Sequence, residues 1–171
     1  VLNTNATVYT VSNVATRPAQ FNTIQAAVDS AAIGDTILIT GGGATYGGIT
    51  TVKPLVFIGE GINGAIADAG ALNLYRLNSS LASSGSKFYG LRFSSVNMDP
   101  NFNGAQAGQR IIDNILFERC SFSSSTSAYA ASGAVRDITY RNCVFTSTIA
   151  QFYGAPWASV NENFLYINCV F

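Results

Sequence analysis

The sequence predicts a parallel β-helix, a solenoid in which the chain winds coil upon coil, and three observations carry that prediction. Residues 115–122, 138–145 and 164–171 are gapless variants of one phrase, with 87–93 a looser copy. In each, apolar residues alternate, skip one beat and alternate again, as at Ile115, Phe117, Cys120 and Phe122. Successive strand residues face opposite ways, so a slip of one residue keeps both halves inward only if the backbone turns between them. The copies recur 23 residues apart from Cys120 to Cys143 and 26 apart from Cys143 to Cys169, within the range of solenoid repeats. Stacking them builds one inward column of Leu91, Cys120, Cys143 and Cys169 and another of Phe93, Phe122, Phe145 and Phe171, at roughly 4.8 Å per rung. Four unrelated strands of a sandwich would leave the shared Asn-Cys-Val-Phe of two copies to chance. The turns fall at Gly90, Arg119, Asn142 and Asn168; Gly and Asn enter the left-handed region at least cost, and Arg119 is the exception.

The elements follow in order. Residues 6–12 alternate and are β-prone, suited to pair with the first rung. A helix is expected over about 22–33: Asn22 with Gln25 forms a capping-box variant, and Phe21 staples the first turn. Ile24, Ala27, Val28 and Ala31 make one apolar stripe before Gly34 ends it. Such a helix plugs the open end of a solenoid, which otherwise presents apolar cross-section and a bare strand edge. Strands are expected at 36–40, 52–58 and 72–77 and then at the repeats. Residues 94–109 read as a polar loop with room for a short strand, and 123–133 and 146–159 read as excursions from the coils.

At 171 residues the chain suits one domain, 1–171, with an N-terminal strand and capping helix in 1–34 and coils from 35 onward. Charged residues are 11%, against roughly 25% in ordinary soluble domains. Nine Lys and Arg balance nine Asp and Glu, so no net field draws nucleic acid, anionic membrane or an acidic polymer. No apolar run reaches the length of a membrane-spanning helix. The three cysteines are odd in number and stack with parallel Cβ vectors, so they read as small buried hydrophobes and not as disulfides or metal ligands. No metal and no cofactor is expected.

Residues 21–28, Gly34-Asp-Thr-Ile, a Gly-Tyr turn and Lys53-Pro-Leu-Val-Phe-Ile-Gly-Glu-Gly61 together resemble the N-terminal cap and first coil of the pectin lyase-like right-handed β-helix superfamily, which includes pectinesterases and many bacterial surface proteins. The resemblance implies a right-handed parallel β-helix and, since loops beside the coils flank an axial groove there, places function in the excursions. It does not specify an activity. Pectinesterase-type Gln-Asp-Thr and Val-Asp-Phe-Ile-Phe-Gly segments are missing, Gln106 and Gln109 lack the matching context, and the chain has no histidine for a polygalacturonase-type Gly-His-Gly. Nor do its carboxylates cluster as a pectate lyase calcium site requires. No catalytic residue is assigned.

Six residues remain as candidates for ligand binding. Aligned by repeat, Asp113 stacks with Arg136 and Glu162, an arginine between carboxylates able to orient a sugar acid, while Glu118 stacks with Arg141 and Ile167. Cross-strand ion pairs of this kind contribute about 0.2–1 kcal/mol and are commonly structural. Tyr129, Tyr153 and Trp157 lie in the excursions, where rigid rings serve as sugar platforms or protein contacts. Phe57, Phe88, Phe117, Tyr140 and Tyr166 are at inward phase and belong to the core. A Thr-x-Thr ice-binding ladder is broken by Leu116 and Leu165 flanking Thr139.

The sequence begins at Val1 and not Met, which fits a processed, secreted or cell-surface protein. It stops at Phe171 on an inward position, where an uncapped coil is expected to continue into further coils, contact a C-terminal domain or assemble end to end. The expected function is a non-catalytic extracellular scaffold or adhesin that meets a polysaccharide or protein surface. The alternative is the N-terminal part of a polysaccharide-active lyase, esterase or hydrolase whose catalytic coils lie beyond residue 171.

Overall fold

The computed structural model describes residues 6–42, 44–61, 67–76, 82–100, 111–124, 126–130, 133–147, 151–154 and 160–171, with backbone alone at 129–130, 151–154 and 160. It is a parallel β-helix. Strands β1 (Val8–Val11), β2 (Thr36–Ile39), β4 (Val56–Gly59), β6 (Lys87–Tyr89), β8 (Ile111–Glu118), β11 (Ala134–Arg141) and β14 (Val160–Ile167) form one sheet in the order β1-β2-β4-β6-β8-β11-β14. The second sheet contains β3 (Ile49–Thr51), β5 (Ala67–Tyr75), β7 (Leu91–Asp99), β9 (Ser121–Phe122), β10 (Thr126–Ala130), β12 (Val144–Phe145) and β13 (Gln151–Gly154). Every ladder between these strands is parallel.

The second sheet is creased into two facets. The start of β7 pairs with β9 and its end with β10, and Phe93, Val96 and Met98 are all buried, which requires a slip of phase at Ser94-Ser95. In β5 the register shifts around Gly70, whose φ is +74°. Residues 94–99 are therefore strand, the short strand for which the polar segment 94–109 leaves room, and the excursions after 122 and 145 hold the strands β10 and β13 of the third facet. Val96, Met98 and Ala128 hold these strands to the core, each 2% exposed or less.

The turns predicted at Gly90, Arg119, Asn142 and Asn168 all adopt positive φ, between 51° and 61°. Their backbone N–H groups keep the ladder running through the bend: those of Gly90, Arg119 and Asn142 donate to the carbonyls of Glu118, Arg141 and Ile167 on the next coil. Glycine is needed at 90 because a Cβ there would stand 2.8 Å from the Gly61 Cα. A second left-handed column, Asn114, Asp137 and Asn163 with φ of 55° to 57°, bends β8, β11 and β14 in mid-strand.

Inside, like stacks on like. Phe57, Phe88, Phe117, Tyr140 and Tyr166 form one ring ladder, with centroids 4.8 to 5.1 Å apart and planes within 15°. Phe93, Phe122, Phe145 and Phe171 form a second, at 4.8 to 5.8 Å. The two ladders meet edge to face, as between Phe117 and Phe122 at 80°, so the rings from Phe88 onward have both favoured aromatic geometries, worth about 0.5–1.5 kcal/mol per pair beyond area. Cys120, Cys143 and Cys169 are free thiols in one column. Each thiol donates to a carbonyl of the preceding coil, those of Phe88, Phe117 and Tyr140, at 3.4 to 3.5 Å. Burial pushes the Cys120 thiol and the Tyr140 hydroxyl well up, so both remain neutral; Tyr140 also hydrogen-bonds Thr126.

The helix α1 (Ile24–Ser30) closes the first coil, with Ile24, Ala27, Val28 and Ala31 buried as the stripe requires. Its N-cap is Thr23 and not Asn22: the extended Thr23 backbone aims Oγ1 at the Ala26 N–H, 3.3 Å away. Gln25 closes no capping box. Its side-chain amide accepts from the Thr50 N–H at 2.8 Å and donates to the Thr50 carbonyl at 3.1 Å, standing in for the strand that β3 lacks on that side. Strand β1 covers the corresponding edge of the first sheet through β2. No helix among the described residues is long and apolar enough to cross a membrane.

Candidate functional site

The register places Asp113 on β8 opposite Arg136 on β11, and Arg136 opposite Glu162 on β14, as the repeat alignment predicts. An Arg136 Nη2 lies 3.5 Å from Asp113 Oδ2, and Nε lies 3.9 Å from Asp137 Oδ2. Asp137 in turn accepts from the Asn163 amide at 2.9 Å. Asp113 and Glu162 are two rungs apart in the column, roughly 9.6 Å, with Arg136 on the rung between them and its guanidinium turned to Asp113 and Asp137. Arg141 and Glu118 repeat the pattern at 3.7 Å, beyond the left-handed corner and the Leu116 row.

Asp113 also borders an open depression of ≈ 430 Å³ whose other walls include Ile33, Pro54, Arg76, Ser84 and Ile111. The Asp113 N–H donates to Ser84 Oγ at 3.1 Å, and Arg76 Nη1 donates to the Ile111 carbonyl at 3.1 Å. The polar side of this depression is thus held by the coils themselves, and Pro54 and the exposed Ile33 supply apolar wall. Among the described residues no group of three His, Cys, Asp or Glu stands close enough to hold a metal ion.

A second polar surface covers the third facet. Thr50, Asn73, Asn97, Ser127 and Gln151 occupy one register row across β3, β5, β7, β10 and β13. Beside it Tyr75 pairs with Asp99, and Tyr129 with Tyr153. The Tyr75 hydroxyl donates to Asn73 Oδ1 at 3.4 Å. The two excursion tyrosines that the sequence singles out are therefore not in loops: they stand at matched positions on adjacent rungs. Trp157 lies outside the described residues. Asp113, Arg136 and Glu162 belong to a different side of the solenoid, on the first sheet, so the candidates divide into two groups.

The amide and hydroxyl row was readable in principle, because Asn73 and Asn97 recur 24 residues apart; the strand at 72–77 was expected, but its register with the later coils was not. A clamp at the N-terminal end is a further polar feature. Arg17 pairs with Glu60 and donates to the Gly41 carbonyl at 3.4 Å, and its hydrogen bond holds the Glu60 carboxyl below its usual range. Tyr46 donates to the Thr40 carbonyl at 2.7 Å and accepts from the Asn13 N–H at 3.1 Å. These bonds fasten the crossing segment 12–20 to the first coils.

Comparison with family models, curated proteins and solved structures finds no match to this chain.

Proposed function

We propose that this chain is a non-catalytic, secreted or cell-surface β-helix scaffold of the pectin lyase-like kind, and that it adheres to a neutral polysaccharide through the third facet. The observation that carries the reading is the register row of Thr50, Asn73, Asn97, Ser127 and Gln151 beside the paired positions Tyr129 and Tyr153. Amides and hydroxyls spaced by one rung, roughly 4.8 Å, match hydroxyl-rich units recurring along an extended glycan. Tyrosine side chains supply contact area at low entropic cost. The absence of net charge favours an uncharged ligand over an acidic one.

The test is depletion of the protein from solution by insoluble cellulose, chitin and xylan, with release of reducing ends measured in parallel. Retention without release is expected, and Tyr129→Ala with Tyr153→Ala should weaken retention at least tenfold. Retention unchanged by that pair would overturn the placement on the third facet. The second reading, part of a polysaccharide-active enzyme, is favoured by the Asp113, Arg136 and Glu162 column beside the ≈ 430 Å³ depression. Release of reducing ends that disappears with Asp113→Asn would replace the scaffold by that enzyme.

A further inference from the structure

The outer face of the first sheet differs in kind from the third facet. A sheet with one face in the core and one in water ordinarily alternates apolar with polar residues. Here large apolar residues hold outward positions at both ends, interspersed with Thr10, Thr36 and Thr139: Val8 is 54% exposed, Leu38 42% and Leu165 53%, and Val56, Ile58 and Leu116 are half-buried between them. On the part of this face that follows the bend at Asn114, Asp137 and Asn163, away from the Asp113, Arg136 and Glu162 column, three charges interrupt it, and they lie close together: Lys87 on β6, Glu118 on β8 and Arg141 on β11. Glu118 and Arg141 share one outward row with Leu38 and Tyr89, while Lys87 belongs to the other row with Leu116.

We infer that this face is the interface of a homodimer in which two solenoids lie side by side with their axes parallel, related by a two-fold axis along the solenoid. The charges argue for a second copy as the occupant. Rotation about that axis exchanges the two outward rows, so the Glu118 row of one copy faces the Lys87 row of the other. Coils of equal height stay level, at roughly the 10 Å separation of packed sheets. Lys87 then stands one rung, roughly 4.8 Å along the axis, from the level of Glu118 of the second copy, close enough for the two long side chains to meet across the gap between the sheets, and the contact occurs twice by symmetry. Leu38 and Leu165 meet the equivalent coils of the second copy at the two ends. Like charges are not brought face to face. The contact strip, roughly 30 Å by 13 Å from strand and residue spacings, is small for a stable interface, so the dimer is a reversible one that forms with rising concentration.

Sedimentation equilibrium of the full chain, from low micromolar to several hundred micromolar, reads this directly. The mass should rise from 18.0 kDa towards twice that value. Leu38→Lys should weaken the association at least tenfold. Glu118→Lys should do the same, because it sets lysine against Lys87 of the second copy, and Lys87→Glu added to it should restore the dimer. Both positions face outward, and an unchanged thermal melt of each monomeric variant separates lost association from lost folding. A mass of 18.0 kDa at every concentration, a trimer, or a dimer indifferent to these substitutions would each overturn the inference.

Discussion

The first coils and the later coils solve the same stacking problem differently. Between residues 6 and 61 hardly any position repeats, and order comes from individual polar side chains that tie backbone to backbone. Asp35, 5% exposed, accepts from the N–H groups of Thr7 at 2.8 Å and Ala32 at 2.7 Å, joining β1 to the end of α1. Gln25 completes the edge of β3, and Lys53 donates to the Ala31 carbonyl at the helix end. From residue 87 onward such single fasteners give way to columns: two ring ladders, one thiol ladder and two left-handed corner columns. A coil that ends a stack must satisfy groups that no neighbouring coil supplies, whereas an interior coil needs only to resemble its neighbours.

The contrast can be broken most severely in the columns. Cys143→Asp places an unpaired carboxylate at a fully buried position between two other thiols, and a loss of about 3–5 kcal/mol in urea unfolding is expected. A midpoint unchanged from the parent would mean that the column is not packed as described. The fasteners should cost less and act locally. Asp35→Ala removes a carboxylate bonded to two backbone donors, so roughly 1.5–3 kcal/mol is expected. Amide exchange should quicken at β1 and α1 while β8 to β14 stay protected. Equal acceleration along the whole solenoid would show that the cap is not a separate local device. The smallest effect is a gain: Arg119 has φ of 53° where its column neighbour is Asn142, and Arg119→Asn should raise stability by up to about 1 kcal/mol.

The division between the two regions also decides how much the sequence revealed. Repetition exposed the columns directly: Phe117, Tyr140 and Tyr166, the corners at Asn142 and Asn168, and the register of Asp113 with Arg136 and Glu162 follow from alignment of the chain with itself. Of the third facet the sequence showed the strand at 72–77 but not β10, which presents Thr126 and Ala128 to the core, residues too small and too polar to mark a strand. The corner column at Asn114, Asp137 and Asn163 was hidden inside what reads as continuous strand, although Ile112 and Ile115, both buried, already show the same one-residue slip. At the cap, Asn22 and Thr23 are adjacent residues that both cap helices, Asn the better of the two, and only the backbone geometry selects Thr23. The paired positions of Tyr129 and Tyr153 required the register of β10 and β13 to be seen.

One measured difference between coils has an evolutionary consequence. Cys143 and Cys169 are three residues farther apart in sequence than Cys120 and Cys143, yet β8, β11 and β14 pair without a shift of register, each left-handed corner beside the next. The surplus is absorbed wholly between Phe145 and Val160. Length on the outside and packing on the inside are therefore inherited separately: segments beside the third facet can lengthen, shorten or change composition while the rungs beneath them stay superimposable. Such a chain can try new surfaces by insertion, or lengthen by duplicating a whole coil, without redesigning its interior.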